Sequence, residues 1–597
     1  MIKRFALKPL CLALGWACAS PAFAVQLDFS GSNIYMKFLD GDQHIAAQGS
    51  GDTATGADQG QWTELELRFK AIISPKVEVG GRIQSRSSAA YWSEFGGFGL
   101  EGSVDNNVNK MKFMKLRGAY IQITPGYSWL NMARIGTNDW GTFDPFTVGK
   151  VRYIDRDNYN GLYFRGPVAG GSWEAARLSL PEYLQNNYGQ GPVCCTTDDT
   201  RTQEAVWIGQ VQVPIGPARL TGSAQFHNDQ IKSTTDTNPF NGQDTSVFAE
   251  NRVYMLKGEG TVADGVDLKG AFYRSTFRTD TPWNNIANPW INGPADNVNG
   301  NAFKIDAAWT PARVSGLSVA YQYFNIAEGF YSNTAARTES DVLLTEGSEA
   351  AWYGWGDPKW NGGAYSDFTQ VVATPHGISG PNLAGYLGGG QNGLTDNAFK
   401  DFNEAPSESV LGWKGHTVLV NYEIFDVPLS AEYTRVDYNN NWQNNTTGPL
   451  RHFYAANQDR TTNIFAFKAT HNFNVLGGVD SSFKYKWVQD KDKVSQATSA
   501  DDAESKDNGV TVTLGTQLHN DLYGSVGFGH YTRDITVGSA SFDNTKNIWS
   551  LKFNYSLAGF ETGLLTQWIN GDGDPNRDGT QDDIKQYRLK ATVQAVF

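Results

Sequence analysis

Cysteine is almost missing from this chain: there are four in 597 residues. Cys11 and Cys18 fall in an N-terminal apolar run, and Cys194 and Cys195 stand side by side in GPVCCTTDD. One vicinal pair cannot staple a chain of this length, which excludes a disulfide scaffold. There is no CxxCH, so the chain attaches no haem itself. Beyond the N-terminus no window holds the ~18 consecutive apolar residues that a membrane-spanning helix needs. Catalytic signatures are missing as well: no G-x-S-x-G, no H-E-x-x-H and no phosphate-binding loop. The eight His are scattered. Positive charge is the minority sign, with 49 Lys and Arg against 62 Asp and Glu and a formal net charge of -13. That balance argues against nucleic-acid binding and fits attraction of cations.

The first residues are an address. Lys3, Arg4 and Lys8 precede an apolar run from Pro9 to about Ala19, and Ala22-Phe23-Ala24 supplies an A-x-A cleavage site. This order predicts a secretory signal peptide over 1–24 and an exported chain over 25–597. Gly15-Trp16-Ala17 before Cys18 is not a lipoprotein box, so no lipid anchor is expected. Loss of the three cations takes the formal charge from -13 to -16.

What the sequence has in abundance is alternation. In WTELELRFKAIISPKVEVGGRIQ (Trp62–Gln84), Leu65, Leu67, Phe69, Ala71 and Ile73 alternate with Glu64, Glu66, Arg68 and Lys70. After Ser-Pro-Lys the pattern resumes with Val77, Val79 and Ile83. A period of two on both sides of a tight turn is a β-hairpin with one apolar and one charged face. Such runs recur to the end, 22 of them, most 9 to 12 residues long. That is close to the ~9–11 residues a tilted strand needs to cross hydrocarbon. Their connectors alternate between short (Ser74-Pro75-Lys76, Pro125-Gly126, Asp264-Gly265, Asn520) and long (87–111, 180–202, 227–251, 278–301, 438–461, 490–507, 570–585). Short periplasmic turns and long extracellular loops are the habit of outer-membrane barrels, whose two termini share the periplasmic side when the strand number is even.

The last segment, QYRLKATVQAVF, places Tyr587, Leu589, Ala591, Val593, Ala595 and Phe597 on one face. Ending on Phe after that alternation, it resembles the C-terminal assembly signal of outer-membrane β-barrels. Trp549, Tyr555, Trp568, Tyr587 and Phe597 sit near strand ends, where an interfacial girdle places aromatics. The predicted fold is all-β: one closed antiparallel transmembrane barrel of about 22 strands (18–22), located in the Gram-negative outer membrane with lipid and lipopolysaccharide around it. The apolar faces meet lipid and the charged faces a wet lumen. Lipid leaves no strand edge unpaired, and a sheet this wide encloses a channel or a filled lumen.

The lumen-facing positions are rich in cations: Arg68, Lys70, Arg82, Lys115, Arg117, Lys257, Lys269, Lys304, Lys468, Lys484, Lys486, Lys552, Arg588 and Lys590. They outnumber Glu64, Glu66, Glu78, Glu259, Asp267, Asp306, Glu423, Glu432 and Glu561. A basic wall in a confined lumen concentrates anions; a mixed-charge wall that merely stays wet is the alternative. The connector 326–413 is by far the longest and carries Trp352, Trp355 and Trp360 in EAAWYGWGDPKWNGGAY. It reads as a constriction loop whose aromatics stack on sugar rings or other apolar faces, or as an external cap. The segment 137–158 is a second candidate for folding into the barrel, with Arg152, Asp155, Arg156 and Asp157 as internal ion-pair candidates. In DGDPNRDGTQDD, Asp574, Asn576, Asp578, Gly579 and Asp582 match D-x-N-x-D-G-x-x-D, with Asp572 and Asp583 alongside. The loop resembles calcium loops of EF-hand-like and thrombospondin-repeat motifs, without their helices or repeats, and the resemblance implies a calcium site.

As a whole the chain resembles porin-like outer-membrane channels, and more loosely the alginate-export type through its size, basic lumen and long loops. The resemblance implies passive passage of hydrophilic, anionic or polysaccharide solutes, with no chemical step. A TonB-dependent receptor would need an N-terminal plug, and only Val25–Asp28 precedes the first predicted strand. A barrel sheathing a separate multihaem cytochrome is the other reading, and a periplasmic or extracellular protein partner fits either.

Overall fold

In the computed structural model the described residues are 26–47, 54–57, 60–88, 112–138, 140–148, 160–179, 204–229, 249–279, 298–327, 330, 332, 413–438, 458–475, 477–494, 503–537, 539–557, 559–573 and 581–596. They form 24 strands. These are β1 (Gln26–Asp28), β2 (Asn33–Ala47), β3 (Ala54–Ala57), β4 (Gly60–Ser74), β5 (Val77–Ser88), β6 (Lys112–Ile123), β7 (Met132–Thr137), β8 (Asn160–Val168), β9 (Gly171–Ser179), β10 (Glu204–Ile215), β11 (Ala218–Asp229) and β12 (Ala249–Ala263). The second half is β13 (Val266–Thr279), β14 (Val298–Trp309), β15 (Ser318–Ile326), β16 (Trp413–Ile424), β17 (Val427–Tyr438), β18 (Gln458–Phe473), β19 (Val479–Val494), β20 (Ala503–His519), β21 (Leu522–Val537), β22 (Ala540–Leu557), β23 (Phe560–Gly573) and β24 (Asp582–Val596).

The 24 strands belong to one antiparallel sheet that closes on itself. The seam is the pairing of β2 with β24, which runs without a break from Asn33↔Val596 to Ala47↔Asp582. On its other edge β2 pairs with β4 from Asn33↔Glu66 to Leu39↔Gly60. β1 and β3 do not count as staves. β1 continues the β2 edge lower on β4, and β3 caps β2 above the end of β4. The barrel therefore has 22 staves. The break between β1 and β2 is a tight turn. Gly31 takes φ 82° there, and Ser32 Oγ donates to the Phe29 carbonyl and accepts from Arg68 N–H. The alternation of residues 27–38 alone predicts one unbroken strand, and the turn is a departure from it. No helix among the described residues is long and apolar enough to cross a membrane.

The two faces separate as the period of two requires. Trp207, Val211, Leu256, Leu268, Phe272, Phe303, Tyr321, Val526, Trp549, Leu551 and Trp568 are large, apolar and exposed on the outer face. So much contiguous exposed apolar surface is stable only against lipid. Phe528, Trp549, Trp568 and Tyr587 stand opposite one another on four successive strands, an aromatic row along the upper border of that surface. At the lower border Tyr127, Trp129 and Trp173 stack, with ring centroids 5.9 and 6.5 Å apart.

The connector pattern holds by side and fails by length in one place. The short turns all lie at one end, including Ala169-Gly170 and Phe425-Asp426, where positive φ at both central residues gives the hairpin its right-handed twist. At the other end β21 and β22 are joined by residues 538 and 539 alone. A long connector is expected there from the sequence. The strands have absorbed it: β18 to β24 are 14 to 18 residues long and continue beyond the length that crosses hydrocarbon. The predicted loops 490–507 and 570–585 shrink for the same reason.

Candidate functional site

The lumen is the only place where polar side chains of many strands converge among the described residues. At the β4–β5 hairpin Arg68 and Arg82 face each other across the ladder. Two like charges in register repel. Glu66 resolves this: its carboxylate is 2.6 Å from Arg68 Nε and 3.9 Å from Arg82, and it is almost fully buried. Below them Lys70 lies 3.2 Å from Glu78, which also accepts from Tyr120 Oη at 2.7 Å. The Arg134 guanidinium stacks 4.0 Å from the centre of the Tyr120 ring and donates to Gln122 and Asn138. A cavity of about 290 Å³ opens among Arg68, Lys70, Arg82, Tyr120 and Arg134.

A second cluster lies further round the wall and is built by a segment that leaves it. After β7 the chain turns inward as a 3-10 turn, Trp140–Thr142, and runs along the inner wall to Val148. Trp140, Phe143 and Val148 are buried against Tyr163, Leu178, Val206 and Ile208. Those last three are apolar residues on the inner face of β9 and β10. They would be misplaced in a wet lumen, and the in-folded segment covers them. Phe146 stacks on Tyr273 at 4.8 Å and meets Phe330 at 5.9 Å, while Ser332 Oγ donates to the Thr147 carbonyl. Asp144 accepts from Phe146 N–H and reaches Lys257 Nζ at 3.6 Å. Between this segment and the wall is a cavity of about 220 Å³ bordered by Gln210, Thr221, Lys257, Lys269 and Lys304. Asp306 lies 3.8 Å from Lys269 and 3.6 Å from Lys304.

The predicted pore-lining residues sort as follows. Arg68, Lys70 and Arg82 form the first cluster. Lys484 faces the lumen opposite Lys468, and Lys486, buried, follows two residues above on the same face. Lys590 stands opposite Leu39 and Leu565 on the lumen side of the seam. Lys115 and Arg117 lie in β6 and Arg588 in β24 opposite Gln567, with only their backbones described. Trp352, Trp355 and Trp360, the ion-pair candidates 152–157, and Cys194 and Cys195 lie outside the described residues. Of the calcium motif, Asp574, Asn576 and Asp578 also lie outside them, while the ladder sets Asp572 opposite Asp583 and Asp582 opposite Gly573. No group of three metal-ligating side chains occurs among the described residues.

Sequence reasoning missed Arg134, Asp144, Arg165, which lies 3.6 Å from Glu174 across the ladder, and the buried pair of Arg533 with Asp507, in which Arg533 Nε donates to the carboxylate. Arg134 sits in a strand six residues long, too short to carry a clear period. The Arg533–Asp507 pair could have been found: both are inward by parity once β20 and β21 are extended to their observed ends.

No protein-family model matches the chain, and no curated relative is found. Solved structures similar to it are outer-membrane proteins at very low identity. OccK9 (OpdG) of Pseudomonas aeruginosa is 9% identical, covering 95% of this chain and 98% of that one at TM-score 0.34. OmpF of Salmonella typhi, solved with daunomycin, is 10% identical over 69% of this chain and 90% of that one at TM-score 0.27. The siderophore receptor PirA of P. aeruginosa is 8% identical over 95% and 80% at TM-score 0.33. The class follows from the chain's own features: a closed antiparallel sheet, an apolar outer surface bordered by aromatics, and a polar lumen. It is a transmembrane β-barrel of the Gram-negative outer membrane, with a channel-like fold.

Proposed function

We propose that this barrel is a passive channel for hydrophilic solutes with a preference for anions. The observation that supports it is the convergence of Arg68, Lys70 and Arg82 on one side of the lumen, Lys257, Lys269 and Lys304 beside the in-folded segment, and Lys468, Lys484 and Lys486 on the far wall. Cations fixed on walls of low dielectric raise the local anion concentration, and the acids paired with them, Glu66, Glu78, Asp144 and Asp306, are fewer than the nine cations. The in-folded Trp140–Val148 segment narrows the lumen at the level where those cations sit, which is where selectivity is set. Small organic anions fit this reading better than a neutral polysaccharide, because the described wall carries many cations and its inner aromatics Trp140, Phe143, Tyr163 and Tyr273 are buried against one another and the wall.

Planar bilayers holding the purified protein in a salt gradient test it. The expected result is a reversal potential on the anion side; cation selectivity would exclude the reading. An electron-conduit sheath would instead co-purify with a haem protein and give little conductance alone. We also propose that the 572–583 loop binds calcium outside the membrane, since Asp572 and Asp583 face each other in register and a divalent cation would relieve their repulsion.

A further inference from the structure

The lumen charges are sorted by height. The second residue from the short-turn end of the stave is acidic and lumen-facing in five strands: Glu78 in β5, Asp267 in β13, Glu423 in β16, Asp480 in β19 and Glu561 in β23. Three of the short turns add Asp264, Asp426 and Asp521. Against this collar stand Arg134 and Arg219 at the same level, with Lys76 and Arg313 in the turns. Two to five residues further in, the sign reverses. Lys468, Lys484 and Lys552 are each sixth from the short-turn end of their strands, as are Arg82 and Lys304. Arg68, Lys70, Lys257, Lys269 and Lys590 occupy neighbouring levels. The acids of that belt, Glu174, Glu259, Asp306 and Glu432, are a minority among its charges.

Four residues at ~3.3 Å each, on strands tilted by ~40°, separate collar and belt by roughly 10 Å along the barrel axis. The Debye length is also about 10 Å at 0.1 M salt. Each layer therefore sets the ion content of its own section of the lumen. Among the described residues the two layers meet directly where Lys70 reaches Glu78 and where Arg219 reaches Glu259.

We infer that the lumen is a bipolar junction, cation-rich at the periplasmic mouth and anion-rich above it, and that the channel consequently rectifies. The inference rests on the channel reading. When the periplasmic side is positive, cations are driven in through the collar and anions through the belt; both accumulate at the boundary and conductance rises. Reversing the field pulls both away from the boundary and depletes it. For a solute, the same order means that an anion captured from outside gathers in the belt and crosses the collar with a cation entering from below. The ligand class this arrangement favours at the boundary is a small zwitterion or an anion with its counter-cation.

The test is the current–voltage curve of the full-length protein inserted from one chamber of a planar bilayer. The chamber holding the long loops is identified as the side from which a protease alters the channel. In about 0.01 M KCl, where the Debye length is about 30 Å, conductance should be at least about twofold higher with the periplasmic side positive. At 1 M, where it is about 3 Å, the curve should be symmetric. Replacing the collar in one variant (E78Q, D267N, E423Q, D480N, E561Q) should remove most of the asymmetry and make the channel more anion-selective. The belt variant K468Q, K484Q, K552Q should reduce the asymmetry and shift selectivity toward cations. Conductance of each variant at 1 M shows that it has inserted and folded. A symmetric curve at low salt in the native channel, or asymmetry of opposite sign, overturns the junction and leaves the channel reading standing. An absence of any conductance overturns the channel reading itself.

Discussion

At the scale of residues, the lumen is governed by how like charges are kept apart. Glu66 is the clearest case, buried between two guanidiniums that the ladder places face to face. Glu66→Gln leaves them opposed without a carboxylate, and the barrel should lose roughly 1–3 kcal/mol, the usual range for breaking hydrogen bonds to a charged group. The measurement is the temperature at which the folded band disappears in unheated-versus-heated gel electrophoresis, which should fall. Trp140 is the second case. It fills the space between the in-folded segment and the inner wall, so Trp140→Ala removes a fully buried side chain, at a local cost of roughly 3–5 kcal/mol. Because that segment narrows the lumen, single-channel conductance should rise while the barrel stays closed, its ladder being untouched. An unchanged conductance would mean that the segment does not set the pore's width.

At the scale of elements, the short turns carry their own chemistry. Phe425 and Asp426 both adopt positive φ in a two-residue hairpin, and Phe425 has 92% of its surface exposed. A left-handed conformation costs an ordinary side chain roughly 1–2 kcal/mol, and Asn tolerates it. Phe425→Asn should therefore raise the denaturant midpoint of the detergent-solubilised barrel, by up to about 1 kcal/mol of stability. A lower midpoint in the variant would overturn this account of the turn. Calcium belongs to this scale too. If the 572–583 loop holds the ion, chelation should speed proteolysis between β23 and β24 and calcium should restore resistance, with magnesium less effective because it demands a stricter octahedral shell. Equal cleavage with and without chelator would remove calcium from the account.

How much of this was legible in the sequence also depends on the element. Strands such as β4, β5, β19 and β24 could be read because lipid on one side and water on the other force a period of two. β10 was read as a strand although Val206 and Ile208 make its inner face apolar, a breach of the pattern that only the covering segment explains. The inward turn of 137–158 was anticipated from the charges of Arg152 to Asp157, which lie outside the described residues; what holds residues 140–148 inside is the apolar cluster of Trp140, Phe143 and Val148. The segment's partners were not anticipated, because contacts between Asp144 and Lys257 or Phe146 and Tyr273 join residues more than a hundred positions apart. Tyr127–Leu130 was expected to open a strand, and it forms a small closed turn instead, with one bridge. Pro125 and Gly126 just before it end β6 and leave too little chain for pairing to resume before Met132. The collar and belt were present in the sequence as charges on alternating positions. They become layers only when each strand is measured from its true end.

At the scale of the molecule, closure decides everything else. Among the described residues the outer face is lined by large exposed apolar side chains where the wall crosses lipid, so the protein should stay monodisperse in detergent and aggregate on its removal, which size-exclusion chromatography reads directly. The wall is also uneven in height. β7, β8, β9 and β15 have 6 to 9 residues, while β18 to β24 have 14 to 18. The tall side ends in the two-residue turn between Val537 and Ala540, held on a hairpin that rises well clear of the bilayer. That makes it a mast. A foreign peptide spliced into the turn would be carried away from the cell surface on a stiff support, and antibodies against intact cells could reach it without disturbing the strands that seal the barrel.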